Sequence, residues 1–152
     1  MKMLKGDSAP SEYRKYYNDW ITNNVKGIVL DVGKSTFWDY SDTPYEYKTI
    51  DTNKRLEPDF VGDICRSSLC SGTFDFVLCN GLRESVKDPQ KMIDEVQRLL
   101  TPGGTAIFGF VGKGYKPYKK DWGYYDGSEK FFGEIVIKNF GDKYHFIICK
   151  KI

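Results

Sequence analysis

Apolar and polar positions change period several times along the chain, and each change marks a predicted element. From Ser11 to Asn23 the bulky residues Tyr13, Tyr16, Tyr17, Trp20 and Ile21 recur at three- and four-residue steps. That is the stripe of an amphipathic helix covering a core face. The stretch Gly27 to Gly33 is instead a short apolar run ending in Asp31, Val32 and Gly33, which reads as a buried parallel strand feeding a turn. Tyr45 to Asp51 is a second strand, again with an acid at its carboxyl end, and Phe60 to Ile64 a short third. Phe74 to Asn80 is the strongest strand, and Asn80-Gly81 follows it as a turn signal. Between Asp88 and Leu100 the period returns to that of a helix: Asp88 caps it, Pro89 suits the first turn, and Met92, Ile93, Val96, Leu99 and Leu100 form one apolar face. Thr101-Pro102-Gly103-Gly104 stops the helix, and Thr105 to Phe110 is another buried strand. Glu134 to Lys138 and Tyr144 to Lys150 close the chain as strands around the Gly141-Asp142 turn, a connection so tight that the two must be antiparallel.

Strands alternating with helices predict an α/β fold: a Rossmann-like, mostly parallel sheet with an antiparallel C-terminal strand and helices on both faces. Parallel crossovers need about a dozen residues or more, yet Thr52 to Asp59 and Cys65 to Thr73 are shorter. The helices beside the third strand are therefore expected to be missing or reduced to single turns. The 152 residues suit a single domain, with an N-terminal helical segment over 1–24, a core over 25–110, and a loop with closing strands over 111–152.

Charge and cysteine content narrow the function classes. The 23 Lys and Arg nearly balance the 21 Asp and Glu, so the totals carry no electrostatic footprint for nucleic acid or an anionic membrane. The start, Met1 to Pro10, is polar and no stretch reaches the roughly 18 apolar residues of a membrane span, which leads us to expect a cytoplasmic protein without a membrane partner. Cys65, Cys70, Cys79 and Cys149 match neither paired zinc knuckles nor a CxxC redox motif, and His145 is the single histidine, so no resident metal is expected.

Candidate chemistry collects where α/β sheets bind ligands, beyond the carboxyl ends of the strands. Asp31 and Gly33 end the first strand, Asp51 the second, Asp63 follows the third, and Cys79 and Asn80 end the fourth. A glycine there lets backbone approach a ligand closely. An acid about 20 residues on can accept both hydroxyls of a ribose, and Asp63 can accept from an exocyclic amine. Taken singly, each is an ordinary turn or cap residue; in order, they describe a nucleoside cradle.

The run Phe74-Asp75-Phe76-Val77-Leu78-Cys79-Asn80-Gly81-Leu82-Arg83-Glu84-Ser85-Val86-Lys87-Asp88-Pro89 resembles the fourth-strand segment of class I S-adenosylmethionine-dependent methyltransferases. Glu95 to Gly104 is similar to that family's following helix and its Leu-x-Pro-Gly-Gly turn. Upstream, Val29-Leu30-Asp31-Val32-Gly33 resembles its first motif, Thr49-Ile50-Asp51 its second-strand acid, and Gly62-Asp63-Ile64 its adenine-contacting segment. The resemblance implies a methyltransferase using S-adenosyl-L-methionine. Asp31 and Gly33, with Lys34 adjoining, would line the methionine portion; Asp51, with Thr52 beside it, would hold the ribose. Asp63 and Ile64 would border the adenine, and Cys79 and Asn80 would lie near the sulfonium. The implied reaction is in-line displacement by an acceptor nucleophile, in which the protein mainly aligns the reactants. A small-molecule acceptor is the default, no general base is assigned beyond a candidate in Glu84, and a homodimer would bury some of the surface aromatics.

Two departures from that family bear on function. Gly33 is followed by Lys34, Ser35, Thr36 and Phe37 instead of further alternating glycines, and Glu84-Ser85 stands where a Glu-His pair is frequent. These favour the competing reading, a non-catalytic methyltransferase-like binding or scaffold domain. Gly33-Lys34-Ser35-Thr36 also ends like a phosphate-binding loop, but Ile28 stands where that loop needs its first glycine. The G-x-G-x-x-G of a dinucleotide site is absent as well. The segment Lys113 to Tyr125 mixes lysines with aromatics and reads as a loop over one end of the sheet, able to close over substrate.

Overall fold

The computed structural model describes residues 2–3, 11–33, 38–39, 43–80, 88–111, 132–141 and 144–152. Its strands are β1 (Lys2–Met3), β2 (Ile28–Val32), β3 (Trp38–Asp39), β4 (Glu46–Asp51), β5 (Phe60–Val61), β6 (Phe74–Asn80), β7 (Leu100–Val111), β8 (Phe132–Phe140) and β9 (Tyr144–Lys151). Its helices are α1 (Ser11–Asn24) and α2 (Pro89–Leu99). Seven strands form one sheet in the order β5-β4-β2-β6-β7-β9-β8. The pairs from β5 through to β7 are parallel, and β9 runs antiparallel to both its neighbours. This is the predicted Rossmann-like sheet. A two-residue ladder between β1 and β3, for which the sequence offers no periodic signal, stands apart from it.

The period-2 alternation of strand side chains divides the core between the sheet's two faces. Val29, Phe76, Leu78, Ile107 and Phe146 pack against Tyr13, Tyr17, Ile21 and Val25 of and just after α1. Leu30, Val32, Ile50, Val77, Phe108 and Ile147 pack against Met92, Ile93, Val96 and Leu99 of α2. Each fully buried side chain of this size stabilises the fold by about 1.5 to 3 kcal/mol relative to exposure. Tyr13 and Tyr17 both stack on Phe146, with ring centroids 4.3 Å and 5.6 Å away. Asp88 caps α2 by accepting from the Lys91 amide at 3.2 Å.

The short connections take the expected form. Single turns of 3-10 helix, Lys54–Leu56 and Ile64–Arg66, stand where longer crossover helices would otherwise lie. Because β5 pairs only Ile50 and Asp51, the outer side of β4 at Thr49 would lack a partner; Asp59 supplies one. Its carboxylate accepts from the Thr49 amide at 2.8 Å and from the Thr49 hydroxyl at 3.1 Å, and that hydroxyl accepts from the Asp59 amide at 2.9 Å. At the other end of the sheet, Gly27 adopts φ +74°, and the Cβ it lacks would collide with the Asp75 carboxylate. Asp75 thereby reaches the Ile28 amide at 2.9 Å.

One expectation changes in detail. Thr101-Pro102-Gly103-Gly104 ends α2 but also belongs to β7, as an irregularity within the strand: Phe74 pairs Leu100 while Phe76 pairs Thr105. Gly103 has φ +78°, and a Cβ on Gly104 would press on the Thr101 and Asp75 carbonyls, so two glycines allow the detour. Among the described residues, no helix is long and apolar enough to cross a membrane, and no three His, Cys, Asp or Glu side chains gather into a metal-binding group.

Candidate functional site

The chain leaves β2 outward to β4 and β5, then returns to β6 on the other side of β2. The strand order therefore reverses between β2 and β6, and the crevice at such a reversal is where open α/β sheets bind ligands. Backbone hydrogen bonds tie the neighbouring strand ends together. The Gly33 amide donates to the Ile50 carbonyl at 2.8 Å, and the Gly62 amide to the Asp51 carbonyl at 2.9 Å. Gly33 has φ +76°, a left-handed conformation that glycine tolerates best. Asp31, Gly33, Asp51, Thr52 and Asp63 are thus brought to one edge, with Asn80 at the end of β6.

Alternation puts Asp31, Asp51 and Asn80 on the α1 side of that edge, with Tyr47. Asp31 is 3% exposed, and its carboxylate accepts from the Tyr47 hydroxyl at 2.5 Å. Burial, then the charge of Asp31 and its hydrogen bond, push the Tyr47 hydroxyl far above its usual range, so Tyr47 remains a donor at any physiological pH. Tyr45 is pushed up to about 12 by burial and then by Asp31, and its buried hydroxyl has no partner among the described residues. On β6, Asn80 accepts from the Tyr13 hydroxyl at 2.8 Å. This contact needs Gly109 on the adjacent β7, where a Cβ would strike both the Asn80 amide oxygen and the Tyr13 hydroxyl.

The acids at the outer strands are partly committed to their own turns. One oxygen of Asp51 accepts from the Asn53 amide at 2.7 Å; its other oxygen has no partner among the described residues. Asp63 accepts from the Cys65 amide at 2.9 Å, with Arg66 3.7 Å from its second oxygen. Ile64 and Cys79 turn their side chains into the α2-side core, so only their backbone is left for a ligand. Burial, followed by the charge of Asp31, raises the Cys79 thiol well above its usual value. Cys65 is raised to about 11, first by burial and then by Asp63. Both are neutral thiols near pH 7, which argues against a thiolate nucleophile. Lys34, Glu84 and the Lys113 to Tyr125 loop lie outside the described residues.

Tyr13, Tyr45, Tyr47 and Asp59 were not readable as site residues. Tyr47 meets Asp31 because β2 and β4 pair with Val29 opposite Tyr47 and Asp31 opposite Thr49. A strand's own sequence does not state that register.

Residues 26–108, over half of the chain, match the family model described as a methyltransferase domain. An uncharacterized protein of Methanocaldococcus jannaschii is 35% identical over 71 residues, 43% of this chain and 35% of its own length. The ubiquinone biosynthesis O-methyltransferase of Coxiella burnetii is 40% identical over 45 residues, 30% of this chain and 19% of its own length. The matched stretches thus span about a third and a fifth of those relatives. Among solved structures, the N-methyltransferase NodS of Bradyrhizobium japonicum, in complex with S-adenosyl-L-homocysteine, superposes with a TM-score of 0.69 at 14% identity over 95% of this chain and 89% of that one. A SAM-dependent methyltransferase from Archaeoglobus fulgidus gives 0.67 at 13% identity, over 93% and 92%.

Proposed function

Since the chain belongs to the methyltransferase domain family, we propose that it binds S-adenosyl-L-methionine at the β2/β6 edge and transfers the methyl group to a small-molecule acceptor. One observation carries this reading: the end of β4 presents Asp51 with a carboxylate oxygen that has no partner among the described residues, beside Gly33 and at the reversal of strand order. That donor set fits a nucleoside, because a fixed carboxylate accepts from ribose hydroxyls and a left-handed glycine permits close backbone approach.

In this reading Asp51 accepts from the ribose, and the Asn53 amide holds its carboxylate in place. Thr52 and Asp63 flank the nucleoside, with backbone contributions from Ile64 and Cys79. Asp31 supplies negative charge toward the amino-acid end, its orientation set by Tyr47, and Gly33 and Lys34 border that end. Asn80, held by Tyr13, stands where the acceptor and the reacting methyl would meet. The bound cofactor supplies an electrophilic methyl on a sulfonium, whose departure needs no acid from the protein. The residues named here therefore bind and align, and alignment is the main source of rate in such a displacement. No described residue is assigned as a general base.

Calorimetric titration tests the reading. S-adenosylmethionine and S-adenosylhomocysteine are each expected to bind saturably, and Asp51→Ala to weaken both by about tenfold, as loss of one charge-assisted hydrogen bond implies. No heat at millimolar ligand would favour the scaffold reading, with its support in the residues after Gly33. Saturable binding indifferent to Asp51→Ala would remove Asp51 from the site.

A further inference from the structure

The seven-stranded sheet ends at β8, and among the described residues no strand pairs its outer side. An open edge of nine residues is a template for another strand, and proteins ordinarily blunt such edges with charges or bulges. This edge carries both, in a particular order. A register shift between Phe132 and Glu134 kinks one end, and the regular part then reads Glu134-Ile135-Val136-Ile137-Lys138. An acid and a base stand two residues either side of a central valine, with an isoleucine in each gap.

We propose that β8 is the contact between two copies of this chain, paired antiparallel about a two-fold axis through Val136. In this register Glu134 of each copy faces Lys138 of the other, Ile135 faces Ile137, and Val136 faces its own counterpart. Side chains directly opposite in an antiparallel pair lie on the same face and interact, so the arrangement yields two ion pairs and three apolar pairs from one five-residue stretch. Isologous pairing of this kind needs a self-complementary surface.

The same charges exclude the alternatives. Moving the axis by one residue, to Ile135 or Ile137, sets Glu134 or Lys138 of each copy against Val136 of the other. Moving it to Glu134 or Lys138 sets like charge on like, and so does parallel pairing in register. Uncontrolled aggregation is thereby disfavoured while one register is kept.

The side chains are available for this contact. Val136 is 53% exposed, and Glu134 and Lys138 are exposed with no ion pair to each other or to other described residues. Lys138 lies over the rings of Tyr16 and Phe140, 5.8 Å from each centroid, which keeps its stem on the α1 face with Glu134 and Val136. Ile135 and Ile137 point to the other face and extend the α2-side core outward. Inward of the edge, Trp20, Phe76, Val136 and Ile148, together with the polar Glu134 and Lys150, line an open depression of about 200 Å³ on the α1 face.

Sedimentation velocity on the full chain, from micromolar to several hundred micromolar, tests the pairing. A concentration-dependent dimer is expected. Glu134→Lys and Lys138→Glu should each weaken it by about tenfold, since two attractive cross-strand pairs become repulsive. The double reversal Glu134→Lys/Lys138→Glu should restore dimerisation to within about threefold of the wild type, because the charges exchange places. Circular dichroism identifies any single reversal that fails to fold, and Glu134→Gln with Lys138→Gln then serves instead, each expected to weaken the dimer by about threefold. A monomer across the whole range, a dimer indifferent to the single changes, or a double reversal no better than the singles would each overturn the proposal.

Discussion

Asp31 is a carboxylate taken out of water, and the Tyr47 hydroxyl is one of the groups that makes this tolerable. A buried acceptor stripped of a donor loses more than the net worth of the bond, because its desolvation is left uncompensated. Tyr47→Phe is therefore expected to lower the unfolding free energy by about 1 to 3 kcal/mol. Urea denaturation checks this; an unchanged midpoint at unchanged slope would mean that the contact contributes nothing. The identity of Asp31, Gly33 and Asp51 as edge residues was legible because an acid or glycine closing an apolar run has few other places to be. Tyr47 was not legible, since it reads as one more bulky residue of an alternating strand until the register sets it beside Asp31. Asp59 was hidden for a related reason: its side chain replaces a strand partner that β5 is too short to provide.

At the scale of elements, α2 is held to the 3-10 turn before it by a small polar cluster. Arg98 bonds Glu95 through both Nε and a terminal nitrogen, at 2.6 and 2.9 Å, and Ser67 donates to Glu95 at 2.9 Å. The Arg98 hydrogen bond is the main reason that the Glu95 carboxyl sits below its ordinary value, against the opposing effect of burial. A carboxyl depressed in the folded state contributes stability above its unfolded value, near 4.5, and loses it as pH falls through the lower folded value. Glu95→Gln should accordingly be less stable than the wild type at neutral pH by about 1 kcal/mol. The difference should shrink as pH falls below about 4.5, as followed by denaturation at each pH; a gap that stays constant would assign the loss to packing. Both helices were legible from period alone, as were the main strands, because each element's apolar face is continuous. The two-residue β1 and β3 gave no periodic signal, and the role of Thr101 to Gly104 inside β7 depends on the left-handed turn at Gly103 and the close approach of Gly104 to Asp75 of β6.

For the whole molecule, ligand binding and folding are one equilibrium. If the β2/β6 edge holds S-adenosylhomocysteine only in the native state, ligand at a hundred times its dissociation constant adds about 2.7 kcal/mol. For a chain of this length that should raise the thermal midpoint by roughly 5 to 10 °C. Differential scanning calorimetry reads it directly, and an unmoved midpoint at saturating ligand would contradict native-state binding. The stacking of Tyr13 and Tyr17 on Phe146 has a different consequence, one of timing. The ring surface on which the earliest helix rests belongs to the last strand, about 130 residues later in the chain. At translation rates of about 5 to 20 residues per second, that helix waits on the order of ten seconds or more for its aromatic seat. Until then its tyrosines have only the aliphatic and aromatic side chains of the earlier strands, Val29, Phe76, Leu78 and Ile107, to rest on.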